Sequence, residues 1–361
     1  MLLEPKRING KIDLTWWNTL TMQEKLLHNV SVEILHKNKS KITTDKTQVV
    51  IVPQEIDTSS LETSLQSRPS IFRPQTWDEY KGQDKIKNEL KARITGCQKF
   101  KVTFHHLLLD GKAGMGKTSL AVLLAKYLNV KFVECVTNTL SSPQQLIDKI
   151  AECNGGVLFL DEIHEINKKL ANFILPLMED FRINGINIKP FTLFTATTEK
   201  GILLKKFKPF VDRFKIQHTL EDYTLNELVT ILKQYKERLY GKEKVNDEIF
   251  VQVARNCRAT PRIGIRLLES YLFMNQDLKT VLETYDIIKN GITKEDIKVL
   301  QYLNQFPKGV GVQTISGYLG TSEQNYVYII EGYLLQQGLI TKMRTGRIIT
   351  DKGKEFLNEI R

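Results

Sequence analysis

Two scarcities bound this chain before any motif is read. It has four cysteines in 361 residues (Cys97, Cys135, Cys153 and Cys257), and no two form a CxxC pair. That argues against a disulfide framework and a zinc site, and points to a reducing cytoplasm. Long apolar runs are also missing: no stretch approaches the roughly 18 apolar residues of a membrane helix. Residues 1–11 lack the apolar segment of a secretory signal, so none is predicted. No internal repeat is visible. Acidic residues fall short of basic ones, 41 against 52, leaving a net charge of +11. That excess suits a polyanionic partner such as nucleic acid, and equally a lysine-rich surface.

What is present is hydrophobic residue, 41% of a chain long enough for two to four compact domains. Residues 57–67, DTSSLETSLQS, are Ser/Thr-rich without apolar periodicity and read as a linker. Before it, residues 1–56 form a small α+β unit. Thr21 and Glu24 have capping-box spacing, Leu26, Leu27, Val30, Ile34 and Leu35 share a helical face, and residues 49–52 read as a strand. Trp16 and Trp17 suit a core or an interface. After the linker, residues 68–218 alternate strand and helix, with strands expected at 106–109, 157–160 and 191–195. That pattern implies an α/β fold with a mostly parallel sheet covered on both faces. Residues 219–290 read as helices only, and 291–361 as helices followed by a hairpin.

One segment carries recognisable chemistry. Gly111-Lys112-Ala113-Gly114-Met115-Gly116-Lys117-Thr118 fits GxxxxGK[ST], after a predicted strand and before an apolar helix at 119–128 that opens with Ser119. Gly111, Gly114 and Gly116 let backbone N–H groups, including that of Met115, converge on phosphate oxygens at a helix N-terminus. Lys117 is expected on the β- and γ-phosphates of ATP, and Thr118 on Mg²⁺. A second apolar strand ends in Asp161 and Glu162, 44 residues beyond Lys117 for Asp161. Asp161 suits the metal through water, and Glu162 suits polarisation of an attacking water. His164 follows closely, but no second His or Cys stands at ligand spacing, so zinc is rejected.

Further stretches extend this pattern. Arg73-Pro74, Tyr80-Lys81-Gly82-Gln83, the quartet Asp161 to His164, Leu175-Pro176-Leu177-Met178-Glu179-Asp180-Phe181, Pro190-Phe191-Thr192, Asp212-Arg213-Phe214, Tyr223-Thr224 and Ala259-Thr260-Pro261-Arg262 occur in order. In this the chain resembles the RuvB family of AAA+ ATPases over residues 68–361. The resemblance implies an AAA+ core at 68–218, a helical lid at 219–290 and a winged helix at 291–361. It implies that Tyr80, Lys81, Gly82 and Tyr223 line the adenine pocket and that Thr198 is a sensor near the γ-phosphate. It further implies that Arg213 is an arginine finger reaching a neighbouring subunit's ATP in a hexameric ring, and that Arg262 is the lid arginine on the phosphates. Two departures stand out. Lys112 and Ala113 occupy positions where the family usually has prolines. Only eight residues, 182–189, stand where the family has a long hairpin that contacts its partner RuvA. They suit a short turn around Asn184-Gly185, which puts RuvA-type recruitment in doubt and turns attention to residues 1–56 as a recruiter of another protein.

At the C-terminal end, helices at 294–304 and 312–319 precede one opened by a capping-box spacing at Thr321 and Gln324 and running to 337. Residues 339–343 and 347–350 flank a turn, completing a winged helix. Lys342, Arg344 and Arg347 at the wing suit DNA phosphates. Residues 291–361 carry nine Lys/Arg against seven Asp/Glu, so the basic surplus is not concentrated there, and a protein-binding winged helix is the alternative. A denser basic zone spans 165–215, where Lys168, Lys169, Lys205, Lys206 and Lys208 suit either a ring pore or a solvated surface. The leading expectation is an ATP-driven motor on double-stranded or branched DNA, acting in recombination and repair. The rival is an ATP-switched loader that binds DNA and recruits a partner.

Overall fold

The structure is a computed structural model, and it describes residues 73–183, 186–241, 243–274 and 276–360, together with a two-residue antiparallel ladder in which Arg7–Ile8 pairs with Lys11–Ile12. The ladder belongs to a separate unit, Met1–Glu62. The helix expected after Thr21, the strand at 49–52, Trp16, Trp17 and the linker lie outside the described residues.

Five parallel strands form the central sheet: β1 (Leu107–Asp110), β2 (Phe132–Val136), β3 (Val157–Asp161), β4 (Thr192–Thr197) and β5 (Ile216–Thr219), in spatial order β2-β3-β4-β1-β5. The strands at 106–109, 157–160 and 191–195 were anticipated to within two residues; the edge strands β2 and β5 were not. Every residue of β4 is buried, and β1 and β3 are buried except for a half-buried last residue. Continuous apolar runs are what two covered faces require. Edge strand β2 instead alternates buried and exposed positions, a weaker signal. The covering helices are α1 (Asp84–Phe100), α2 (Lys117–Leu128), α3 (Pro143–Cys153), α4 (Lys168–Asp180) and α5 (Lys200–Val211). Leu107, Leu109, Phe159 and Phe194 pack on one side and Leu108, Leu158, Leu160 and Leu193 on the other. Each fully buried side chain of this size contributes roughly 1.5–3 kcal/mol of hydrophobic stabilisation. All four cysteines are buried and free.

Asp110 pairs with Thr197 at the carboxyl ends of β1 and β4, and β3 ends at Asp161. These ends are the customary ligand-binding edge of an open parallel sheet. The helix after the phosphate loop begins at Lys117 rather than Ser119, which sets the lysine in its first turn.

Four helices follow: α6 (Leu225–Tyr240), α7 (Asp247–Asn256), α8 (Pro261–Phe273) and α9 (Leu278–Thr284). Leu228, Leu232, Phe250, Val253, Leu267 and Val281 fill the space between them. The expectation of helix alone to residue 290 is corrected here, because Ile287–Lys289 pairs antiparallel with Ile292–Thr293. Asn290 and Gly291 both have positive φ between those strands, and Asn-Gly is a strong short-range hairpin signal.

The last module holds α10 (Lys294–Gln305), α11 (Val312–Leu319) and a third helical run from Glu323 to Gln336 whose middle, Tyr326–Glu331, is π-helical. Its cap is Ser322, which accepts from Asn325 N at 3.1 Å; the expected box at Thr321 and Gln324 does not form. Strands β6 (Ile340–Met343) and β7 (Gly346–Ile349) make the expected wing. Gly346 has φ +135°, and a Cβ there would stand 2.4 Å from the Val310 carbonyl oxygen, so the wing packs against that backbone only with glycine. A final helix, α12 (Asp351–Glu359), was not anticipated.

Candidate functional site

A cavity of about 460 Å³ opens between the sheet edge and the helices that follow it. On its floor, Lys117 Nζ donates to the carbonyls of Gly111 (2.6 Å) and Lys112 (3.1 Å). The side chain is buried among neutral dipoles. Burial lowers its pKa, against the raising influence of Glu162, Asp161 and Asp110. Gly114 has φ +79°, and a Cβ on it would fall 2.5 Å from Arg262 Cβ, so the lid reaches the loop only because glycine stands there.

The carboxylates sit beside the lysine. Asp161 lines the cavity, accepts from Glu162 N at 3.0 Å, and is raised in pKa chiefly by burial. Glu162, in left-handed backbone, accepts from Thr198 Oγ1 at 3.1 Å and lies 3.4 Å from His164 Nδ1, which in turn contacts Thr197 Oγ1 at 3.0 Å. Among the described residues no group of three or more His, Cys, Asp or Glu is placed to hold a metal. Thr118 and Asp161 both face the cavity, a set that suits Mg²⁺, which keeps waters and takes few protein ligands beside substrate phosphates.

At the other end, Tyr80 and Tyr223 reach back to the loop. Tyr80 OH donates to Gly116 O (3.4 Å) and Tyr223 OH to Met115 O (2.9 Å). Burial raises both phenols, Tyr223 to about 12, so both remain neutral donors. Gln83 exchanges hydrogen bonds with the backbone of Glu221, 2.7 Å to its carbonyl and 3.1 Å from its N–H. This ties the segment before α1 to the start of the lid.

Of the residues singled out in the sequence, Tyr80, Lys81, Gly114, Gly116, Lys117, Thr118, Ser119, Asp161, Glu162, Tyr223 and Arg262 line one cavity. Gly82, Gly111 and Met115 stand behind its wall: Gly82 against the Tyr223 ring, Gly111 against Leu220, and Met115 buried. Thr198 touches Glu162 from behind. Arg213 is outside the cavity and exposed, with Nε 2.9 Å from Glu179 Oε1. Sequence reading missed the far wall: Arg73, Glu79, Ile231, Gln234, Tyr235, Arg238 and Ile265. Arg238 pairs with Glu79 and donates to Arg73 O at 3.3 Å, contacts between distant segments that no local pattern marks.

The wing divides the three cations expected there. Glu331 is fully buried and pairs with both Arg347 and Lys342, the latter at 3.1 Å. Arg347 is thereby committed to the fold, and Lys342 is shared with it. Arg344, at the turn, is exposed and makes no ion pair among the described residues. Lys168, Lys169, Lys205, Lys206 and Lys208 are all exposed. Among the described residues no helix is long and apolar enough to cross a membrane. Where a long hairpin was in question, Arg182–Ile183 pairs with Ile186–Asn187 in strands of two residues.

Comparison with known proteins agrees along the chain. Residues 72–220 match the family described as Holliday junction DNA helicase RuvB P-loop domain, and residues 289–358 match the RuvB C-terminal winged helix domain. The Holliday junction branch migration complex subunit RuvB of a Nitratiruptor species is 32% identical, covering 86% of this chain and 96% of that protein. Its counterpart from Prochlorococcus marinus is 31% identical, covering 85% and 91%. Among solved structures, the Thermotoga maritima RuvB Holliday junction branch migration motor superposes with a TM-score of 0.70 at 30% identity, covering 80% of this chain and 98% of that one.

Proposed function

Because the chain belongs to the RuvB family, a family of nucleotide-binding P-loop ATPases, we propose that it is an ATP-driven motor of Holliday junction branch migration. The observation that carries this reading is the convergence of Lys117, Thr118, Asp161, Glu162 and Arg262 on one cavity, in a chain that also holds a winged helix. We assign ATP with Mg²⁺ to that cavity. The phosphates lie on Gly111, Gly114, Met115, Gly116, Lys117, Thr118 and Ser119, and the base lies near Tyr80, Lys81, Gly82 and Tyr223. Thr118 and Asp161 would hold Mg²⁺, which would neutralise charge on the phosphates. Glu162 orients the attacking water while Thr198 holds its carboxylate in place. Phosphoryl transfer is chiefly positioning and neutralisation of developing charge, so the remaining need is cationic. Arg262 supplies one guanidinium from the lid. Arg213 lies outside its own cavity and is assigned to a neighbouring protomer's site, which makes the working form a ring, most simply a hexamer.

DNA phosphates are assigned first to Arg344 and the exposed side of Lys342, with Arg347 fixing the wing beneath them. The short 182–187 hairpin offers little surface to a RuvA-type partner, so recruitment is assigned to residues 1–56. Removing residues 1–66 is then expected to spare ATP hydrolysis and abolish delivery to the substrate; unchanged delivery contradicts that assignment.

The direct test is movement of DNA strands. Purified full chain with ATP and Mg²⁺ is expected to convert a synthetic four-way junction into its duplex products. Glu162→Gln is expected to retain ATP and release no strands. Hydrolysis without strand movement in the parent favours the loader reading instead.

A further inference from the structure

Lys112 belongs to the phosphate loop, yet its side chain leaves it. Its Nζ lies 2.8 Å from each carboxylate oxygen of Asp222 and 3.1 Å from Gln336 Oε1. The Gln336 amide closes the triangle, Nε2 donating to Asp222 Oδ2 at 2.6 Å. These residues come from the loop before α2, the segment between β5 and α6, and the last turn of the helix that precedes the wing. The backbone of Lys112 matters as much, because its carbonyl is one of the two that accept from Lys117 Nζ. One residue thus touches the phosphate-binding ammonium through its carbonyl and the winged helix through its side chain.

The winged helix, in turn, is fastened to the lid. Arg258, between α7 and α8, donates to Gly291 O (2.8 Å) and Ile329 O (3.0 Å), pairs with the fully buried Asp296, and lies 4.5 Å over the Tyr333 ring. Separating a buried carboxylate from its cation is costly, so lid and winged helix move together. Lys112 and Gln336 both line a cavity of about 480 Å³ between the loop, the lid and that module, so their contact has room to open. The Lys112–Asp222 pair is largely exposed, at 54% and 30%, and adds little stability. What it provides is a position for the winged helix relative to the loop.

We propose that Lys112 and Gln336 are positioning residues that make the winged helix respond to nucleotide bound in the same chain. This deepens the motor reading and rests on it. The ammonium of Lys117 has three N–H groups, and two are given to loop carbonyls. Phosphates that engage it compete with those carbonyls, the 111–112 peptide shifts, and the Lys112 side chain carries the shift to Asp222 and Gln336. Coupling between binding sites is reciprocal, so DNA on the winged helix acts back on the loop.

Hydrogen–deuterium exchange of the full chain, with and without a non-hydrolysable ATP analogue and Mg²⁺, reads one direction. ATP turnover with and without a synthetic branched DNA reads the other. In the parent, the analogue is expected to change amide exchange across Gly332–Gln336 at least threefold. In Gln336→Ala that response disappears and the DNA stimulation of turnover falls at least threefold, while turnover without DNA and affinity for DNA stay within twofold. Lys112→Arg keeps the charge and the reach and is expected to retain most of the response that Lys112→Ala loses. A parent that retains the analogue without a change at 332–336, or a Gln336→Ala variant that matches the parent, overturns the coupling and leaves the motor reading standing. A Gln336→Ala variant whose DNA affinity falls in step with its stimulation also overturns it, because Gln336 then acts by touching DNA. A parent that retains no analogue overturns both.

Discussion

In the phosphate loop, Lys117 is held by two backbone carbonyls, whereas at the wing Arg347 and Lys342 are held by the carboxylate of a fully buried glutamate. The first arrangement leaves the ammonium without a bonded carboxylate, although Asp161 and Glu162 sit beside it. The second spends the charge on the fold. A buried carboxylate needs a cation more than the wing needs one for DNA, since leaving it unpaired is destabilising by several kcal/mol. A basic residue in a recognition element is therefore a ligand contact only after the carboxylates beneath it have been counted.

The largest expected effect is at the loop. Lys117→Ala removes that ammonium and is expected to lower ATP turnover on the order of a thousandfold, the scale of losing a preorganised charge-stabilising donor; turnover within tenfold of the parent breaks the comparison from that side. At the wing, Arg347→Ala strips Glu331 of its nearer cation. It is expected to destabilise the module by about 3 kcal/mol, the low end for breaking a buried pair because both cations reach solvent. Denaturant unfolding checks this, and a stability change below about 1 kcal/mol makes Arg347 a free DNA contact after all. The smallest effect belongs to Arg344→Ala, which is expected to leave stability unchanged and to reduce the salt dependence of DNA binding by about one in log–log slope. Titrations across salt concentration measure it, and an unaltered slope removes Arg344 from the interface.

Much of this architecture was legible in the sequence because its signals are local. Strands β1 and β3 are short runs of apolar side chains, β4 is a β-propensity run of Thr, Leu, Phe and Ala, the phosphate loop is one contiguous motif, and the wing is two strands around a Gly-containing turn. Asn290-Gly291 was equally legible and passed over, because the helical pattern on its amino-terminal side dominated the reading. The far wall of the nucleotide cavity was not legible. Arg73 opens a family signature, but its meeting with Glu79 and Arg238 forms only once the lid folds over the core, and nothing local marks that contact. Glu331 was hidden for another reason: it is an acidic residue in a helix, ordinarily a solvated one, and here it is fully buried beside Ile330. Arg213 is the converse case, a residue named by resemblance that lies exposed outside its own chain's cavity.

That last point makes protein concentration the decisive variable. ATP turnover per protomer, measured across protein concentration with and without a four-way DNA junction, tests most directly whether the cavity is completed by a neighbour and coupled to DNA. The account predicts a rate per protomer that climbs with concentration, climbs further with the junction, and stays flat and low in Arg213→Ala. A rate that is the same for isolated monomers and concentrated protein, and indifferent to DNA, contradicts it.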